Sequence, residues 1–94
     1  MPNIIKVANS SNPTTVAGAI AGTIRDHGSA EVQAIGAGAV NQAVKSIAIA
    51  SNYLKGDGID IAACPSFIDI DIDEKKRTAI RFSIVAFNNH NHQS

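Results

Sequence analysis

Apolar and polar positions repeat with two different periods along this chain, and the switches between them mark six elements. Ile4 to Val7 reads as a short strand. The polar run Asn9-Ser10-Ser11-Asn12 then leads to Pro13, which suits the first position of a helix with Asn12 as its cap. Val16, Ile20 and Ile24 fall on one stripe at helical spacing, and Gly28 suits a C-terminal stop. Gly18 and Gly22 form a second, small-residue face. Each interior glycine costs about 1 kcal/mol relative to alanine, so a close backbone approach by a neighbouring element is the expected compensation. Val32 and Ala34 alternate with Glu31 and Gln33 in a second strand, and Gly36-Ala37-Gly38 joins it to a second helix opening near Ala39. That helix places Val40, Val44, Ile47, Ser51 and Leu54 along one face, with Gln42, Ser46, Ile49 and Tyr53 nearly opposite. Ile49 and Tyr53 therefore need a second cover, and an oligomer contact is predicted there.

Gly56-Asp57-Gly58 has turn chemistry, after which Ile59, Ile61 and Ala63 alternate with Asp60, Ala62 and Cys64 in a third strand. The phase then changes. Apolar residues sit at odd positions before Cys64-Pro65 but at even positions in Ile68, Ile70 and Ile72, so a bulge or strand break is expected. The last strand, Thr78 to Phe87, has Ile80, Phe82 and Ile84 on one face. Matching apolar faces sets Ile70 against Ile80 and Ile68 against Phe82, which puts Asp69 across from Arg81 and Asp73 across from Arg77, with Glu74-Lys75-Lys76 at the tip. Asn88 to Ser94 has no apolar pattern and is expected to be a disordered polar tail on a single domain spanning 1–87.

Charge narrows the function classes. Eight basic residues balance eight acidic ones, which argues against condensation of nucleic acid by bulk charge but leaves local patches open. The single cysteine, Cys64, excludes an intramolecular disulfide, and the start MPNIIKVANSS lacks a charged segment followed by a hydrophobic signal core. Thr14 to Ile24 runs only about half of the roughly 20 residues needed to cross a bilayer. A cytoplasmic protein without a membrane partner is the expectation.

Several chemistries fall away. Asp69, Asp71 and Asp73 superficially resemble a calcium loop, but isoleucines separate them, Glu74 stands where a turn glycine is needed and Ile80 where the terminal glutamate belongs. His90 and His92 lie in the tail with no fixed partner ligand, and no base is recognisable beside Cys64. Asn41 occupies the third-glycine position of a dinucleotide fingerprint in Gly36-Ala37-Gly38-Ala39-Val40-Asn41, and the chain is too short for a two-halved dinucleotide fold. No catalytic set, metal site or cofactor is expected. What remains is the strand–glycine–helix junction as a phosphate or sugar contact, with Gly36, Gly38, Asn41, Gln42 and Lys45 as its residues, beside the alternative that the glycines only permit tight packing. Lys75, Lys76 and Arg77 form a second cluster, read either as a solvated turn or as a reach into a nucleic-acid groove.

Taken together, TVAGAIAGTIRDHG, AEVQAIGAGAVNQAVKSIAIA and DIDIDEKKRTAIRF closely resemble the stage V sporulation protein S (SpoVS) family over about Ile4 to Val85. The resemblance implies an Alba-like α/β two-layer sandwich, βαβαββ, with two helices on one face of a four-stranded mixed sheet. It further implies a small cytoplasmic protein without known catalysis, associated with bacterial sporulation and development, self-associating as a dimer or tetramer and suspected of binding RNA or DNA. Alba proteins carry basic residues around the first-strand loop and the glycine junction, where this chain has Asn9-Ser10-Ser11 and Ala37-Gly38-Ala39. Weak contact is therefore expected, through Gly36, Gly38, Asn41, Gln42 and Lys45 with Lys75, Lys76 and Arg77 assisting. The alternative is a protein-interaction module using the same GAGAVNQA surface.

Overall fold

The computed structural model describes residues 4–87, as β1 (Ile4–Val7), α1 (Pro13–His27), β2 (Ser29–Ala34), α2 (Ala37–Lys55), β3 (Asp60–Ile72) and β4 (Lys75–Phe87). The tail 88–94, with His90 and His92, lies outside the described residues. The strands form one mixed sheet in the order β1-β2-β4-β3, parallel between β1 and β2 and antiparallel elsewhere. This is the expected βαβαββ two-layer arrangement of an Alba-like domain. Among the described residues no helix is long and apolar enough to cross a membrane.

The first helix starts as its sequence dictates. Asn12, in extended conformation, accepts from the Thr14 and Thr15 amides at 2.9 and 3.3 Å, and Pro13 takes the first helical position, where no amide bond is lost. Gly28 closes α1 in the left-handed region (φ 80°) while its N–H donates to the Ile24 carbonyl. Ile20 and Ile24 are buried with Ala17 and Ala21, whereas Val16 packs at the margin. Gly18 and Gly22 correct an expectation: among the described residues nothing lies within 4 Å of where a Cβ would sit on either. That face looks outward.

One face of the sheet carries the core. Ala30, Val32 and Ala34 of β2 stand opposite Ile84, Phe82 and Ile80 of β4, and all except the partly buried Ile80 are buried against the helices. Helix α2 buries Ala39, Ala43, Ser46, Ala50 and Leu54, a stripe lying between the two faces read from the sequence. The small residues bring the helix axis close to the sheet, so Val40 and Ile47 flank the contact on one side and Ile49 on the other. The Ser46 hydroxyl, fully buried, donates to the Gln42 carbonyl at 2.7 Å.

The β3–β4 hairpin departs most from expectation. Its register is continuous from Asp60 opposite Phe87 to Ile72 opposite Lys75, with no bulge at Cys64-Pro65. Ile70 faces Arg77 rather than Ile80, Ile68 faces Ala79 rather than Phe82, and Asp69 faces Thr78 rather than Arg81. Asp73 and Glu74, both at positive φ (52° and 65°), form the two-residue loop, the pattern of a type I′ turn. The phase change marks the end of the helix cover. Inside the body the odd residues of β3 point toward the helix layer; beyond it the even residues Ile68, Ile70 and Ile72 put apolar surface on the opposite side.

Candidate nucleic-acid interface

Both residue groups singled out from the sequence lie at one end of the molecule. β2 pairs with β4 only as far as Ala34 opposite Ile80, so Ile68–Ala79 continue as a two-stranded arm past the glycine junction, roughly 15 Å at 3.4 Å per residue. The arm accounts for the elongated shape, 53 × 22 × 21 Å.

The junction has a specific local structure. Gly36 sits at φ 90°, ψ 157°, a region open essentially to glycine alone. Helix α2 begins at Ala37, two residues earlier than the pattern suggests, and its first turn has no side-chain cap. The first intrahelical bond runs from Val40 N–H to the Gly36 carbonyl, which leaves the amides of Ala37, Gly38 and Ala39 at the positive end of the helix dipole. Gly38 lies against the Asn9 side chain: a Cβ there would run into Oδ1 and Cγ of the exposed Asn9, which would have to turn aside. The Asn9 loop is itself tied by reciprocal Ala8–Ser11 hydrogen bonds, N–H to Oγ at 2.8 Å and N–H to carbonyl at 3.0 Å.

Gln42 has a structural task. Its Nε2 donates to the Asn9 and Ser11 carbonyls, both at 3.2 Å, which fastens the β1–α1 loop to α2. Those bonds occupy the donor group proposed for a ligand. Asn41 and Lys45 are exposed one turn apart. Because the helix opens at Ala37, Lys45 stands in its third turn, about 12 Å along the axis from the first residue, and reaches a different part of a bound strand than the junction amides do.

The corrected register divides the basic cluster. Lys75 and Arg77 lie opposite Ile72 and Ile70 on the face of the sheet away from the helices, whereas Lys76 lies on the other face, opposite Asp71 and one pair from Asp69. Among the paired residues of the arm, one side thereby carries Lys75 and Arg77 and the other Asp69, Asp71 and Lys76, with the loop residues Asp73 and Glu74 between them at the tip. Alternation sets two further cations on the open face, Lys6 of β1 and Arg81 of β4, each opposite Gln33 of β2. Arg81 Nη2 donates to Gln33 Oε1 at 3.3 Å and Nη1 lies 3.6 Å from Glu31 Oε1, while its buried Nε has no partner among the described residues. Lys6 borders a hollow of about 260 Å³ with Ala8, Asn9, Gln33 and Ile35, linking the open face to the Asn9–Gly38 contact. Sequence reasoning missed Lys6 and Arg81, although the alternation of Lys6 with buried Val7 was a usable signal.

The family model for Stage V sporulation protein S (SpoVS) matches residues 3–87. The chain belongs to the SpoVS family. The match covers both helices, the glycine junction and the whole arm, and it carries a sporulation-related role. Within this SpoVS domain the strand residues of the open face include Lys6, Lys75, Arg77 and Arg81 against Glu31 and the distant Asp60, with Asp73 and Glu74 in the loop at the arm tip.

The predicted oligomer residues differ in exposure. Ile49 packs partly against the core of its own subunit, whereas Tyr53 is 41% exposed.

Proposed function

We propose that this SpoVS protein is a non-enzymatic, homo-oligomeric regulator of sporulation and development that contacts nucleic acid weakly. Its contact surface runs from Gly36, Gly38 and Asn41, with Lys45 two turns further along α2, across Lys6 to Lys75 and Arg77. The observation that carries the reading is the hairpin register, which gives the paired strands of the arm a side with Lys75 and Arg77 and no acid, closed at the tip by the loop residues Asp73 and Glu74. Phosphates are attracted to that side, and the free amides of the junction supply hydrogen bonds that position a strand without reading its sequence. Isoleucines 68, 70 and 72 between the cations offer apolar contact to sugars or bases. Gln42 and Lys76 act indirectly in this reading, the first by holding the Asn9 loop and the second by offsetting Asp71.

Fluorescence anisotropy with labelled single-stranded RNA and duplex DNA tests the reading. Binding is expected to weaken as salt rises, with a logarithmic slope of about −2 to −3, because three or so phosphates are neutralised. Lys45→Glu and the Lys75/Lys76/Arg77 triple-alanine variant are expected to weaken it further. Binding unaffected by both variants would remove this surface. No salt-dependent binding to either nucleic acid, with a nuclease-insensitive protein partner recovered instead, would favour the protein-interaction module.

A further inference from the structure

β1 and β2 are the parallel pair of the sheet, and the space outside the carboxyl ends of such strands is where the loops that follow them leave room for a ligand. Here that space is the hollow of about 260 Å³ bordered by Lys6, Val7, Ala8 and Asn9 at the end of β1 and by Gln33 and Ile35 at the end of β2. It is smaller than the roughly 300–1,000 Å³ of a drug-sized site, so it suits a fragment of one ring system. Gln33 is its unusual member. Only 8% exposed, it stands between Lys6 and Arg81 on the open face of the sheet, and Arg81 Nη2 donates to its Oε1 at 3.3 Å. That bond takes the oxygen of the amide and leaves Nε2 as the end with hydrogens to give. Lys6, directly across from it, is exposed and has no ion pair among the described residues.

We propose that this hollow seats one guanine base. The polar groups it offers are donors, Lys6 Nζ and Gln33 Nε2, while Asn9 turns its Oδ1 toward Gly38. A base edge that meets them must therefore accept. Guanine presents two adjacent acceptors, O6 and N7, whereas adenine sets its N6 donor beside N7 and cytosine presents the N4 donor. A glutamine with both ends of its amide free pairs with adenine through N6 and N7; the Arg81 bond closes that option by holding Oε1. Val7, Ala8 and Ile35 supply apolar wall for the faces of the ring. Asn9 joins the hollow to the glycine junction, since it borders the one and touches Gly38 of the other. A phosphate on the free amides of Ala37 to Ala39 and a base in the hollow then belong to one nucleotide segment. The amides and the arm cations hold a strand without reading it, and the hollow reads one base. A duplex keeps its guanines stacked and paired, so the occupant comes from a single strand.

The inference rests on the nucleic-acid reading and adds to it the base that is recognised. Fluorescence anisotropy on the full chain tests it, with labelled single-stranded oligouridine RNA carrying one central guanosine or, in its place, one adenosine. The guanosine strand is expected to bind about five- to 30-fold more tightly. Lys6→Met, at an exposed position, is expected to reduce that ratio to about threefold or less. Gln33→Glu keeps an acceptor for Arg81 and replaces the free donor by a second acceptor, so it is expected to abolish or reverse the preference. Arg77→Ala weakens both strands alike and leaves the ratio unchanged. Equal affinity of the wild-type chain for the two strands would overturn the guanine site while the strand contact stands. A guanosine preference unaltered by both Lys6→Met and Gln33→Glu would overturn its placement in this hollow. Guanosine and adenosine monophosphates, titrated against the amide chemical shifts of Ala8, Asn9 and Ile35, separate the two readings: a preference for the guanosine nucleotide without any strand binding supports the hollow and overturns the strand contact. Binding of neither nucleotide nor strand would overturn both.

Discussion

Gly36 and Gly38 stand two residues apart and answer to different physical demands. Gly36 is set by its backbone, since φ 90° with ψ 157° strains any residue carrying a Cβ. Gly36→Ala is therefore expected to cost about 1–3 kcal/mol in urea unfolding, and a change below a few tenths of a kcal/mol would contradict that. Gly38 is set by packing against Asn9. Gly38→Ala is expected to turn the exposed Asn9 side chain aside, and to be more favourable in an Asn9→Ala background, where the clash is gone and alanine's helix propensity, worth up to about 1 kcal/mol, remains. Equal effects in both backgrounds would exclude the Asn9 contact as the reason for the glycine. The sequence made the junction visible as a pair of small residues before a helix, but the partner that Gly38 accommodates comes from a loop 29 positions earlier. The structural task of Gln42 was hidden for the same reason: its acceptors are backbone carbonyls of that loop, and no local pattern announces them.

At the scale of elements, both helices and all four strands were legible because their periods, caps and glycine stops agree. The hairpin register was not. Matching Ile70 to Ile80 assumed that every isoleucine faces one core, whereas the helix layer ends near Phe67 and the apolar side changes with it. The turn also gave little warning, because Asp73 and Glu74 lack the glycine that type I′ loops favour. Holding two non-glycine residues at positive φ costs about 1 kcal/mol or more each. Asp73→Asn with Glu74→Gly is expected to relieve part of that and to slow amide hydrogen exchange in Lys75 to Ala79, read by native-state exchange; unchanged or faster exchange would contradict the turn assignment.

Across the whole molecule, a balanced composition conceals an unbalanced surface. Total charge pointed to weak electrostatic interaction, and that holds for the sum of the residues. It does not hold for each side, because a register that differs by three residues from the expected one reverses which side chains share a face. The arm's Asp69, Asp71 and Lys76 fall on the helix-facing side, while Lys75 and Arg77 fall with Lys6 and Arg81 on the other. On the proposed reading, the open side of the SpoVS domain is the one that meets an anionic strand. Neighbouring residues with the same formal charge provide the most direct test of that division. Affinity for labelled single-stranded RNA and duplex DNA should be compared between Lys76→Glu and Arg77→Glu, which change the net charge equally and differ in the face they alter. Arg77→Glu is predicted to weaken binding about five- to tenfold and Lys76→Glu by no more than about twofold; equal losses, or a larger loss from Lys76→Glu, would contradict the account.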